Sequence, residues 1–464
     1  MLAPITSLIR GGWDMAGIFG TDGVRAKINT GHMRAEFIVR LALAAGSYFI
    51  AQQDKTKKSR NTRPLVIIGK DTRLSGYMLE AALVAGFTSI GMDCRLTGPV
   101  PTAAIAHLTH SIRADLGVMI SASHNPHHDN GIKLFGPDGQ KLDDAVEAEI
   151  SALAQGSIAL AEPLDIGRAR RMLTSGARYQ EFAKSTFPRG MQLDSLKVVV
   201  DCANGAAYKT APDTLHELGA DVIAIGVAPD GTNINQNVGA TSPEFLADRV
   251  VAETADIGIA LDGDADRVVL VDETGAICDG DRILAALGRD MSEAGTLRGA
   301  VVGTLMSNLG LERYLASQNI TFDRANVGDR YILEKLKAQN GNLGGEPSGH
   351  ILLPDATRSG DGLIAALKLL ALLVRTGKTA SETLNVFEPV PQKLVNLRDV
   401  DKSLVQDPKI LKLVSEIEAD FAGEGRVLLR PSGTEPLVRV MVEALDETRL
   451  DTALDRLCDA LQAS

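Results

Sequence analysis

The sequence predicts an α/β protein: three related α/β domains with mixed, mainly parallel sheets, and a smaller α+β domain at the C-terminal end, around a central cleft. Short β-branched runs alternate with helical patterns, which is typical of parallel sheets. Three such runs end in comparable polar loops at intervals of roughly 100–130 residues, namely Val66–Asp71, Val198–Asn204 and Val301–Asn308. Because ligands of open α/β sheets collect at the carboxyl ends of strands, these domains are expected to share one cleft.

Composition agrees with this class and excludes others. The chain has 464 residues, of which 45% are hydrophobic and 4% aromatic, and a net charge of −11. This balance predicts three or four ordinary α/β domains and argues against a nucleic-acid partner. The apolar stretch Leu363–Val374 is interrupted by Lys368 and is shorter than the roughly 20 residues of a membrane span, so no membrane is expected. The cysteines lie far apart and form no C-x-x-C pair, which favours reduced thiols in the cytoplasm.

The first domain carries a candidate nucleophile. The apolar run Leu116–Ile120 is followed directly by the polar loop Ser121–Pro126. A serine at such a strand end projects from the scaffold, and Pro126, which has no N–H, keeps the loop out of regular structure. Ser123 is therefore a candidate for covalent chemistry, although the Gly-x-Ser-x-Gly elbow of acyl hydrolases is absent. The alternative is an ordinary polar turn after a buried strand.

The second domain carries an acidic loop. Asp262, Asp264 and Asp266 follow the apolar run Ile257–Leu261 at alternate positions. Three unpaired carboxylates at this spacing would repel one another, so a hard divalent cation with oxygen ligands is expected, and Mg²⁺ beside a phosphate fits best. The same repulsion predicts that an asparagine in place of Asp264 or Asp266 stabilises the metal-free loop. An acidic, solvated turn is the alternative.

A calcium loop is the other metal site that this spacing suggests. Glu273 is the twelfth residue counted from Asp262, as such a loop requires. However, Arg267 stands at the sixth position, where the loop needs glycine, and Val268–Val271 has the pattern of a strand. A calcium loop is therefore not expected.

The C-terminal domain carries a candidate anion site. Arg430–Pro436 lies between the apolar runs Val427–Leu429 and Leu437–Val438, and Arg439 follows. Two guanidinium groups, two hydroxyl groups and a glycine that permits close approach of backbone N–H groups are suited to phosphate. An ordinary hairpin turn would leave Arg439, inside a strand pattern, unexplained.

Four motifs together resemble the α-D-phosphohexomutases in order and spacing, over nearly the whole chain from Gly17. These motifs are Ser121–Pro126, Asp262–Arg267, Gly345–His350 and Arg430–Pro436. Four further segments resemble the bacterial phosphoglucosamine mutase branch, namely Phe19–Arg25, Phe135–Gly139, Met306–Glu312 and Val327–Tyr331. Two positions depart from the family pattern: Ala26 and Ala265 stand where glycine is commoner. An alanine at position 265 restricts the backbone between two of the aspartates.

The resemblance implies a role for each motif. Ser123 would be a phosphoserine, and Mg²⁺ would bind Asp262, Asp264, Asp266 and an oxygen of the serine phosphate. Arg25 and Lys133 match positions of proton transfer or charge stabilisation, and His124 lies beside the phosphoserine, where ordering of the loop is the alternative role. The substrate-binding positions implied are Arg267, Glu346, Ser348, Arg430, Ser432, Gly433, Thr434 and Arg439.

The domain boundaries follow from the runs and motifs together. Residues 1–14 lack a signal-peptide pattern and are expected to be a disordered extension. The expected domains are 15–172 with the phosphoserine loop, 173–278 with the metal loop, 279–388 with the sugar-recognition loop and 389–464 with the phosphate-binding loop.

The resemblance also implies the reaction, which is interconversion of glucosamine 6-phosphate and glucosamine 1-phosphate through phospho-Ser123 and a 1,6-bisphosphate. Glucosamine or glucose 1,6-bisphosphate would be the activator, and the product would supply amino-sugar nucleotide and cell-wall synthesis. A homodimer is possible. A phosphomannomutase or phosphoglucomutase with the same mechanism is the first alternative, and a phosphosugar-binding protein without turnover is the second.

Overall fold

The structure, a computed structural model, describes residues 18–20, 22–52, 63–431 and 437–462. Within these ranges the strands form four sheets, one in each of four successive domains. None of the helices in these ranges is long and apolar enough to cross a membrane. The predicted extension 1–14 and the predicted anion-binding residues Ser432, Gly433 and Thr434 lie outside the described residues.

Domain 1 contains a mixed sheet with the strand order β1-β5-β4-β2-β3-β6. The strands are β1 (Val24–Lys27), β2 (Leu65–Lys70), β3 (Asp93–Pro99), β4 (Leu116–Ile120), β5 (Asp129–Phe135) and β6 (Ala169–Arg171). The helices are α1 (Ala35–Gln52), α2 (Gly76–Ser89), α3 (Thr102–Ser111) and α4 (Asp144–Gln155). Strand β4 is parallel to β2 and antiparallel to β5. The loop with Ser123 therefore connects β4 to β5.

Domain 2 repeats this arrangement around its acidic loop. Its elements are α5 (Ser175–Ser185), β7 (Lys197–Asp201), α6 (Thr210–Glu217), β8 (Asp221–Ile225), α7 (Glu244–Ala252), β9 (Ile257–Leu261), β10 (Val268–Asp272) and β11 (Ile277–Cys278). The sheet order is β11-β10-β9-β7-β8. Strand β9 is parallel to β7 and antiparallel to β10, and Leu261 pairs with Val268. The three aspartates therefore occupy a tight connection between β9 and β10.

Domain 3 shows the same pattern a third time. Its elements are α8 (Gly280–Glu293), β12 (Val301–Thr304), α9 (Leu309–Ser317), β13 (Phe322–Ala325), α10 (Asp329–Ala338), β14 (Gly344–Gly345), β15 (Ile351–Leu352), α11 (Gly362–Thr376) and α12 (Ala380–Leu384). The sheet order is β13-β12-β14-β15. Strand β14 is parallel to β12 and antiparallel to β15, so the loop with Glu346 connects them. The predicted relation among three α/β units is confirmed.

The C-terminal domain 4 has a different, antiparallel sheet with the order β16-β18-β17. Its elements are β16 (Gln392–Arg398), α13 (Pro408–Phe421), β17 (Gly425–Pro431), β18 (Leu437–Ala444) and α14 (Glu447–Gln462). Side chains alternate along β18, so Val438, Val440 and Val442 pack in one core with Phe421 of α13 and Leu457 of α14. This α+β domain agrees with the prediction.

The hydrophobic cores show which domains pack together through shared buried side chains. One continuous cluster of buried apolar side chains runs through domains 1, 2 and 3 and includes Ile105, Val200 and Leu284. The cluster of domain 4 is separate. Because a shared core resists relative motion, domains 1 to 3 are expected to hold their loops at fixed positions, with domain 4 attached beside them.

Candidate active site

Ser123 stands at the end of β4 in a conformation that is unusual for a serine. Its φ is 52°, in the left-handed region, and the residue is fully buried. Its main-chain N–H donates to Oγ of Ser121 at 2.9 Å, and its own Oγ donates to Oδ2 of Asp262 at 2.5 Å. The predicted nucleophile of domain 1 therefore touches the predicted metal loop of domain 2.

The acidic loop gathers its carboxylates at one point. Asp262, Asp264 and Asp266 are buried, and one carboxylate oxygen of each lies within 4.8 Å of those of the other two. Oγ of Ser123 is also 3.4 Å from Oδ1 of Asp266. Ala265 adopts a φ of 58°, so the alanine that departs from the family pattern occupies a left-handed position that glycine would adopt more easily.

The calcium alternative does not fit this geometry. Both carboxylate oxygens of Glu273 accept hydrogen bonds from Ser381, one from its N–H and one from its hydroxyl group. The carboxylate is thus engaged with helix α12, and β10 separates Glu273 from the aspartates.

Lys133 neutralises part of the acidic loop. Its buried Nζ donates to Oδ2 of Asp264 at 2.8 Å and to Oδ2 of Asp266 at 2.9 Å, and it lies 3.2 Å from Oδ2 of Asp22. The prediction that an asparagine at either position 264 or 266 relieves repulsion overlooked this cation. Each of those substitutions would also remove a partner of a buried ammonium group, which is costly.

Burial and neighbouring charges shift the pKa values of the two outer aspartates, Asp262 and Asp266, in opposite directions. Burial, followed by the carboxylates of Asp266 and Asp264, raises the pKa of Asp262 well above its usual range. Burial also acts to raise the pKa of Asp266, but Lys133 and His350 outweigh it and hold that pKa well below its usual range. Of these two carboxyl groups, Asp262, next to Oγ of Ser123, is therefore the one that more readily takes up a proton in the absence of a cation, and Asp266 is the one that stays ionised.

The donor set fits a magnesium ion. Oδ1 of Asp264 is buried and has no hydrogen-bond partner among the described residues, although Oδ2 of the same carboxylate accepts from Thr102 at 2.6 Å and from Lys133. A buried carboxylate oxygen without a partner is costly unless a ligand satisfies it. Together with the serine oxygen, the three carboxylates offer the hard oxygen ligands that Mg²⁺ prefers.

Two further predicted residues flank the serine. Arg25, on β1, is half-buried, forms an ion pair with Asp22, and keeps Nε buried without a partner in the described chain. Nδ1 of His124 is 3.4 Å from Oγ of Ser123. Burial, followed by the charges of Arg267 and Arg25, lowers the pKa of His124 to about 4, so its ring is neutral at pH 7.

The third loop presents Glu346 and Ser348 together. Oε1 of Glu346 accepts from the N–H of Gly328 at 2.9 Å, and Oε2 accepts from Oγ of Ser348 at 3.1 Å. Gly349 is obligatory, because its φ is 87° and a Cβ there would lie 2.0 Å from the carbonyl oxygen of Val268. This contact brings the loop of domain 3 against the first residue of β10 in domain 2.

Arg267 connects these loops electrostatically. Its N–H donates to Oδ1 of Asp262 at 3.2 Å, and its Nε is buried without a partner among the described residues. Burial alone would lower the pKa of its guanidinium group, but the carboxylates of Asp266, Asp262 and Glu346 raise it. Arg267 is therefore a fixed cation between the metal loop and Glu346.

Domain 4 presents two arginines side by side. Arg430 of β17 and Arg439 of β18 are paired directly opposite each other, and both Nε atoms are buried without a partner in the described part of the chain. Burial and the neighbouring Arg439 lower the pKa of Arg430, while Glu346 acts in the opposite direction. Like charges opposite each other on a sheet are destabilising unless an anion lies between them. This pair therefore supports the predicted anion site.

Several residues of the site were not nominated from the sequence. Asp22 joins Arg25, Lys133 and Lys141, and Lys141 reaches Oδ2 of Asp329 at 2.7 Å. Buried His350 lies between Asp266 and Asp329, at 3.8 Å and 3.7 Å. Asp22 and His350 lie inside two of the motifs quoted for the family resemblance. Their charged or titratable side chains within those motifs could have marked them as candidate site residues.

Comparison with known proteins places this site in a family. Models of the phosphoglucomutase/phosphomannomutase family match the chain in order: alpha/beta/alpha domain I at residues 16–159, domain II at 177–275, domain III at 279–390 and the C-terminal domain at 394–460. The chain is 54% identical over 450 residues to the phosphoglucosamine mutase of Granulibacter bethesdensis, covering 96% of this chain and 97% of the relative. It is 53% identical over 451 residues to that of Sphingopyxis alaskensis, covering 97% and 100%.

Solved structures agree on the fold. A phosphoglucomutase/phosphomannomutase family protein from Burkholderia thailandensis superposes with a TM-score of 0.78 at 25% identity, covering 96% of this chain and 97% of that one. The N-acetylphosphoglucosamine mutase of Aspergillus fumigatus, solved with GlcNAc-6P and magnesium, superposes with a TM-score of 0.65 at 19% identity, covering 96% and 95%.

Proposed function

The chain belongs to the phosphoglucomutase/phosphomannomutase family, and from this premise we propose that it interconverts glucosamine 6-phosphate and glucosamine 1-phosphate. The observation that carries the proposal is the 2.5 Å hydrogen bond between Oγ of Ser123 and Asp262, which joins a nucleophile to an oxygen-rich metal site. Relatives more than 50% identical over nearly their whole length bear the name phosphoglucosamine mutase, which favours the amino sugar as substrate.

Ser123 carries the phosphoryl group in this proposal. Asp262, Asp264 and Asp266 would hold Mg²⁺ with an oxygen of the serine phosphate. When bound, the ion offsets the negative charge of the transferring phosphoryl group. Lys133, held among three carboxylates at the same point, would stabilise the charge that shifts between donor and acceptor oxygens.

The remaining residues bind and orient the sugar. Glu346 and Ser348 would recognise its hydroxyl and amino groups, with Arg267 beside them. Arg430 and Arg439, with Ser432, Gly433 and Thr434, would hold the phosphate that is not being transferred. Binding energy at that remote phosphate orients the reacting hydroxyl group, which is how positioning lowers a barrier. Arg25 and His124 would contact the group on Ser123.

The reaction has two transfers with the same groups. Phospho-Ser123 gives its phosphoryl group to the free 1-hydroxyl of glucosamine 6-phosphate, which leaves a bound 1,6-bisphosphate. After this intermediate turns around, Ser123 accepts the 6-phosphoryl group and glucosamine 1-phosphate is released. Lost phosphate would be restored by glucosamine or glucose 1,6-bisphosphate, which acts as activator. The product would feed synthesis of amino-sugar nucleotides and cell-wall precursors.

The test is a mutase assay that compares glucosamine 6-phosphate, mannose 6-phosphate and glucose 6-phosphate at equal concentrations with Mg²⁺ and a catalytic amount of glucose 1,6-bisphosphate. We expect the highest kcat/KM with the amino sugar. Preference for mannose or glucose phosphate would favour a phosphomannomutase or phosphoglucomutase, and binding without turnover of any of them would favour a phosphosugar-binding protein.

The setting of the enzyme is proposed on chemical grounds. Each of the four cysteines lies in the described part of the chain as a free thiol. Unpaired thiols fit a reducing compartment, so we place the enzyme in the cytoplasm. A homodimer stays a prediction, which sedimentation equilibrium of the purified chain would check.

A further inference from the structure

The main chain of Ser123 is held in a conformation that its sequence does not favour. A non-glycine residue with φ near +52° is strained relative to the right-handed region, so it persists only where the surroundings impose it. Two side chains do so here. Both donate to the carbonyl oxygen of Ser123, and they come from different domains.

Arg73 is the donor from domain 1. Its Nη2 donates to the carbonyl oxygens of Ser123 at 2.9 Å and Asn125 at 2.8 Å, and its Nη1 to those of Pro126 at 2.5 Å and Asp129 at 3.1 Å. Three carbonyl groups of the loop and that of the first residue of β5 thus converge on a single guanidinium group. A planar fork with five donors can satisfy such a set, and a lysine cannot.

Arg73 is itself immobilised. Its side chain is fully buried, and its Nε donates to Oδ2 of Asp71 at 2.7 Å. The same Oδ2 accepts from Oγ of Ser121 at 2.6 Å, and that Oγ accepts from the N–H of Ser123. Asp71, through Ser121, therefore fixes the main-chain N–H of Ser123, and Arg73 fixes its carbonyl group. Within the described residues, each hydrogen bond of the Arg73 side chain goes to a main-chain carbonyl oxygen or to Asp71, which favours a role in ordering the loop over direct chemistry.

Asn235 is the donor from domain 2. Its Nδ2 donates to the carbonyl oxygens of Ser123 at 2.9 Å and Asn125 at 3.2 Å. The metal loop packs into the same place, since a Cβ on Gly263 would lie 2.5 Å from the Ser123 carbonyl oxygen and 2.8 Å from Nδ2 of Asn235. Asn235 and Asp262 both belong to domain 2. Asn235 holds the main-chain carbonyl group of Ser123, and Asp262 holds its side-chain hydroxyl group.

We propose that Arg73 and Asn235 are positioning residues that fix the Ser123 carbonyl group from two domains, so that Oγ stays aimed at the metal loop through both phosphoryl transfers. The inference rests on the proposed function. Neither residue touches substrate or phosphate in this role. Arg73 sets the shape of the serine loop, and Asn235 sets its register against Asp262.

The step that this geometry serves is the phosphorylation of Ser123 by a bisphosphate. The bond between phosphorus and the sugar oxygen breaks, a bond between phosphorus and Oγ forms, and the hydroxyl proton of Ser123 passes to the departing sugar oxygen. The reverse transfer needs Oγ at the same point. Because reacting atoms must lie within about 3–3.5 Å and in line, a serine free to rotate would react slowly even with substrate bound.

The chain offers a matched pair of asparagines for the test. Asn235 and Asn237 have φ values of 58° and 57° in the same loop, but Asn237 is exposed and has no side-chain hydrogen bond among the described residues. Glycine adopts this backbone conformation freely, so Asn235→Gly removes the whole side chain without straining the main chain, and Asn237→Gly, which adds the same freedom to the unfolded chain, is its control. Asn235→Asp keeps the size of the side chain but removes the N–H donor.

The first measurement is intact mass during incubation of the dephosphorylated enzyme with glucose 1,6-bisphosphate and Mg²⁺, which gives the rate of Ser123 phosphorylation. Steady-state kcat and KM with glucosamine 6-phosphate and the melting temperature are measured alongside. For Asn235→Gly and Asn235→Asp we expect phosphorylation and kcat to fall about tenfold or more, with KM within about twofold and with the thermal unfolding curve showing that each variant is still folded at the assay temperature. Asn237→Gly should match wild type, and Arg73→Lys should lose at least as much as Asn235→Gly.

Each contrary outcome has a distinct meaning. If wild type is phosphorylated and turns over while Asn235→Gly does both at the wild-type rate, the positioning role is wrong and the proposed function stands. A rise in KM at unchanged kcat would also overturn the positioning role, since it would place Asn235 in substrate binding. A wild-type protein that neither accepts phosphate on Ser123 nor turns over would overturn the proposed function and this inference together. If Arg73→Lys does not fold, the comparison of Asn235→Gly with Asn237→Gly is by itself the test of the positioning role.

Discussion

Nζ of Lys133 lies 2.9 Å from Oδ2 of Asp266, so a cation from domain 1 is built into the metal loop of domain 2. The same Nζ lies 2.8 Å from Oδ2 of Asp264, whereas the pKa of Asp262 is raised well above its usual range by burial and then by its neighbouring aspartates. The three aspartates therefore differ in what each contributes to stability, although each is expected to bind the metal.

Substitution of the aspartates should separate metal binding from stability. Without metal, Asp262→Asn should leave the melting temperature unchanged or raise it, because a poorly compensated carboxylate is replaced by an amide that can still accept from Ser123. Asp266→Asn should cost about 1.5–3 kcal/mol, because the buried ammonium of Lys133 loses one charged hydrogen-bond partner and keeps Asp22 and Asp264. The check is thermal unfolding with EDTA. Both variants should lose most Mg²⁺-dependent activity, and full activity in either would show that the residue is not a ligand.

Purified protein should carry phosphate on Ser123 in at least a fraction of molecules. The proposed mechanism stores the group there between turnovers, and the buried position of Ser123 would limit its loss to water. Peptide mass mapping of the wild type would locate it, and Ser123→Ala should abolish turnover. The matched control is Ser121→Ala, which should stay phosphorylated on Ser123 with reduced activity, since the Ser121 hydroxyl group links the N–H of Ser123 to Asp71 and does not carry the phosphate. Phosphate elsewhere, with an active Ser123→Ala variant, would contradict the mechanism.

Removal of Arg430 should weaken catalysis without weakening the fold. Arg430→Ala is expected to cost about 2–4 kcal/mol in kcat/KM, through loss of a charge-assisted phosphate contact. The melting temperature should hold or rise, because the repulsion with Arg439 is relieved. Arg398→Ala, at an exposed position on the edge strand of the same sheet, is the control and should change neither quantity. A kinetically silent Arg430→Ala would remove the arginine pair from the phosphate site.

Domain 4 should move relative to domains 1 to 3, with the hinge in the 385–395 segment. Asn308 of domain 3 holds Val390 by two hydrogen bonds, from its Nδ2 to the carbonyl oxygen at 3.0 Å and from the Val390 N–H at 2.9 Å. The carbonyl oxygen of the next residue, Pro391, accepts from Ala444 of domain 4 at 3.1 Å. The main-chain anchors of the two domains thus flank Pro391, and rotation about its ψ disturbs neither of them, although it would break the hydrogen bond that Arg426 of domain 4 donates to the carbonyl oxygen of Ser307 in domain 3 at 2.8 Å.

Small-angle scattering of the unphosphorylated enzyme would test this motion. Glucose 1,6-bisphosphate should reduce the radius of gyration, as the arginines of domain 4 close on a phosphate. Arg430→Ala should reduce or abolish the change at the same ligand concentration. Identical wild-type profiles with and without the bisphosphate would count against a hinge.

Stability should depend on pH through a buried pair behind the site. The hydroxyl group of Tyr179 donates to the carboxylate of Asp361, at 2.9 Å and 3.0 Å from its two oxygens, and burial raises the pKa of Asp361 to about 6. A raised pKa means that the folded state binds the proton more tightly, so this stabilisation is present below about pH 4 and is lost as pH rises through about 6.

Asp361→Asn isolates that contribution. The amide oxygen can still accept from Tyr179 and from the N–H of Ile364 at the start of α11, but it carries no charge. The variant should therefore gain stability relative to wild type as pH rises from 4 to 7, by at most about 3 kcal/mol. Chemical unfolding at several pH values gives the difference, and a constant difference across this range would contradict the assignment.

The sequence was sufficient for the fold class and for the chemical character of the loops. Strands Leu116–Ile120 and Ile257–Leu261 were predicted with the bounds that the structure gives, because buried strands flanked by polar loops have a short-range pattern. The serine, the three aspartates and the arginine loop were identified from residue type and spacing alone. Glu346, Ser348, Arg25 and Lys133 came only from the family resemblance, since a single charged residue has no pattern of its own.

The sequence indicated three related α/β units, but the strands that revealed this repeat are not the strands that precede the site loops. The runs that revealed the repeat overlap β2, β7 and β12; they are Val66–Asp71, Val198–Asn204 and Val301–Asn308. The site loops instead follow β4, β9 and β14, which lie beside those strands in the sheets. Strand order is a long-range property. Only the tertiary structure shows that each site loop connects two neighbouring strands. The strand before the loop is parallel to β2, β7 or β12, and the strand after the loop is antiparallel to the strand before it.

Tertiary structure alone decided the partners of each charge. Lys133 is separated from Asp266 by 133 residues, Arg73 from Ser123 by 50 and Asn235 from Ser123 by 112. Local patterns determine which residues are buried in a strand or exposed in a loop, because they depend on neighbours within a few positions. Which cation compensates which carboxylate, and which donor fixes the serine, depends on how domains pack, and no local pattern in the chain records it.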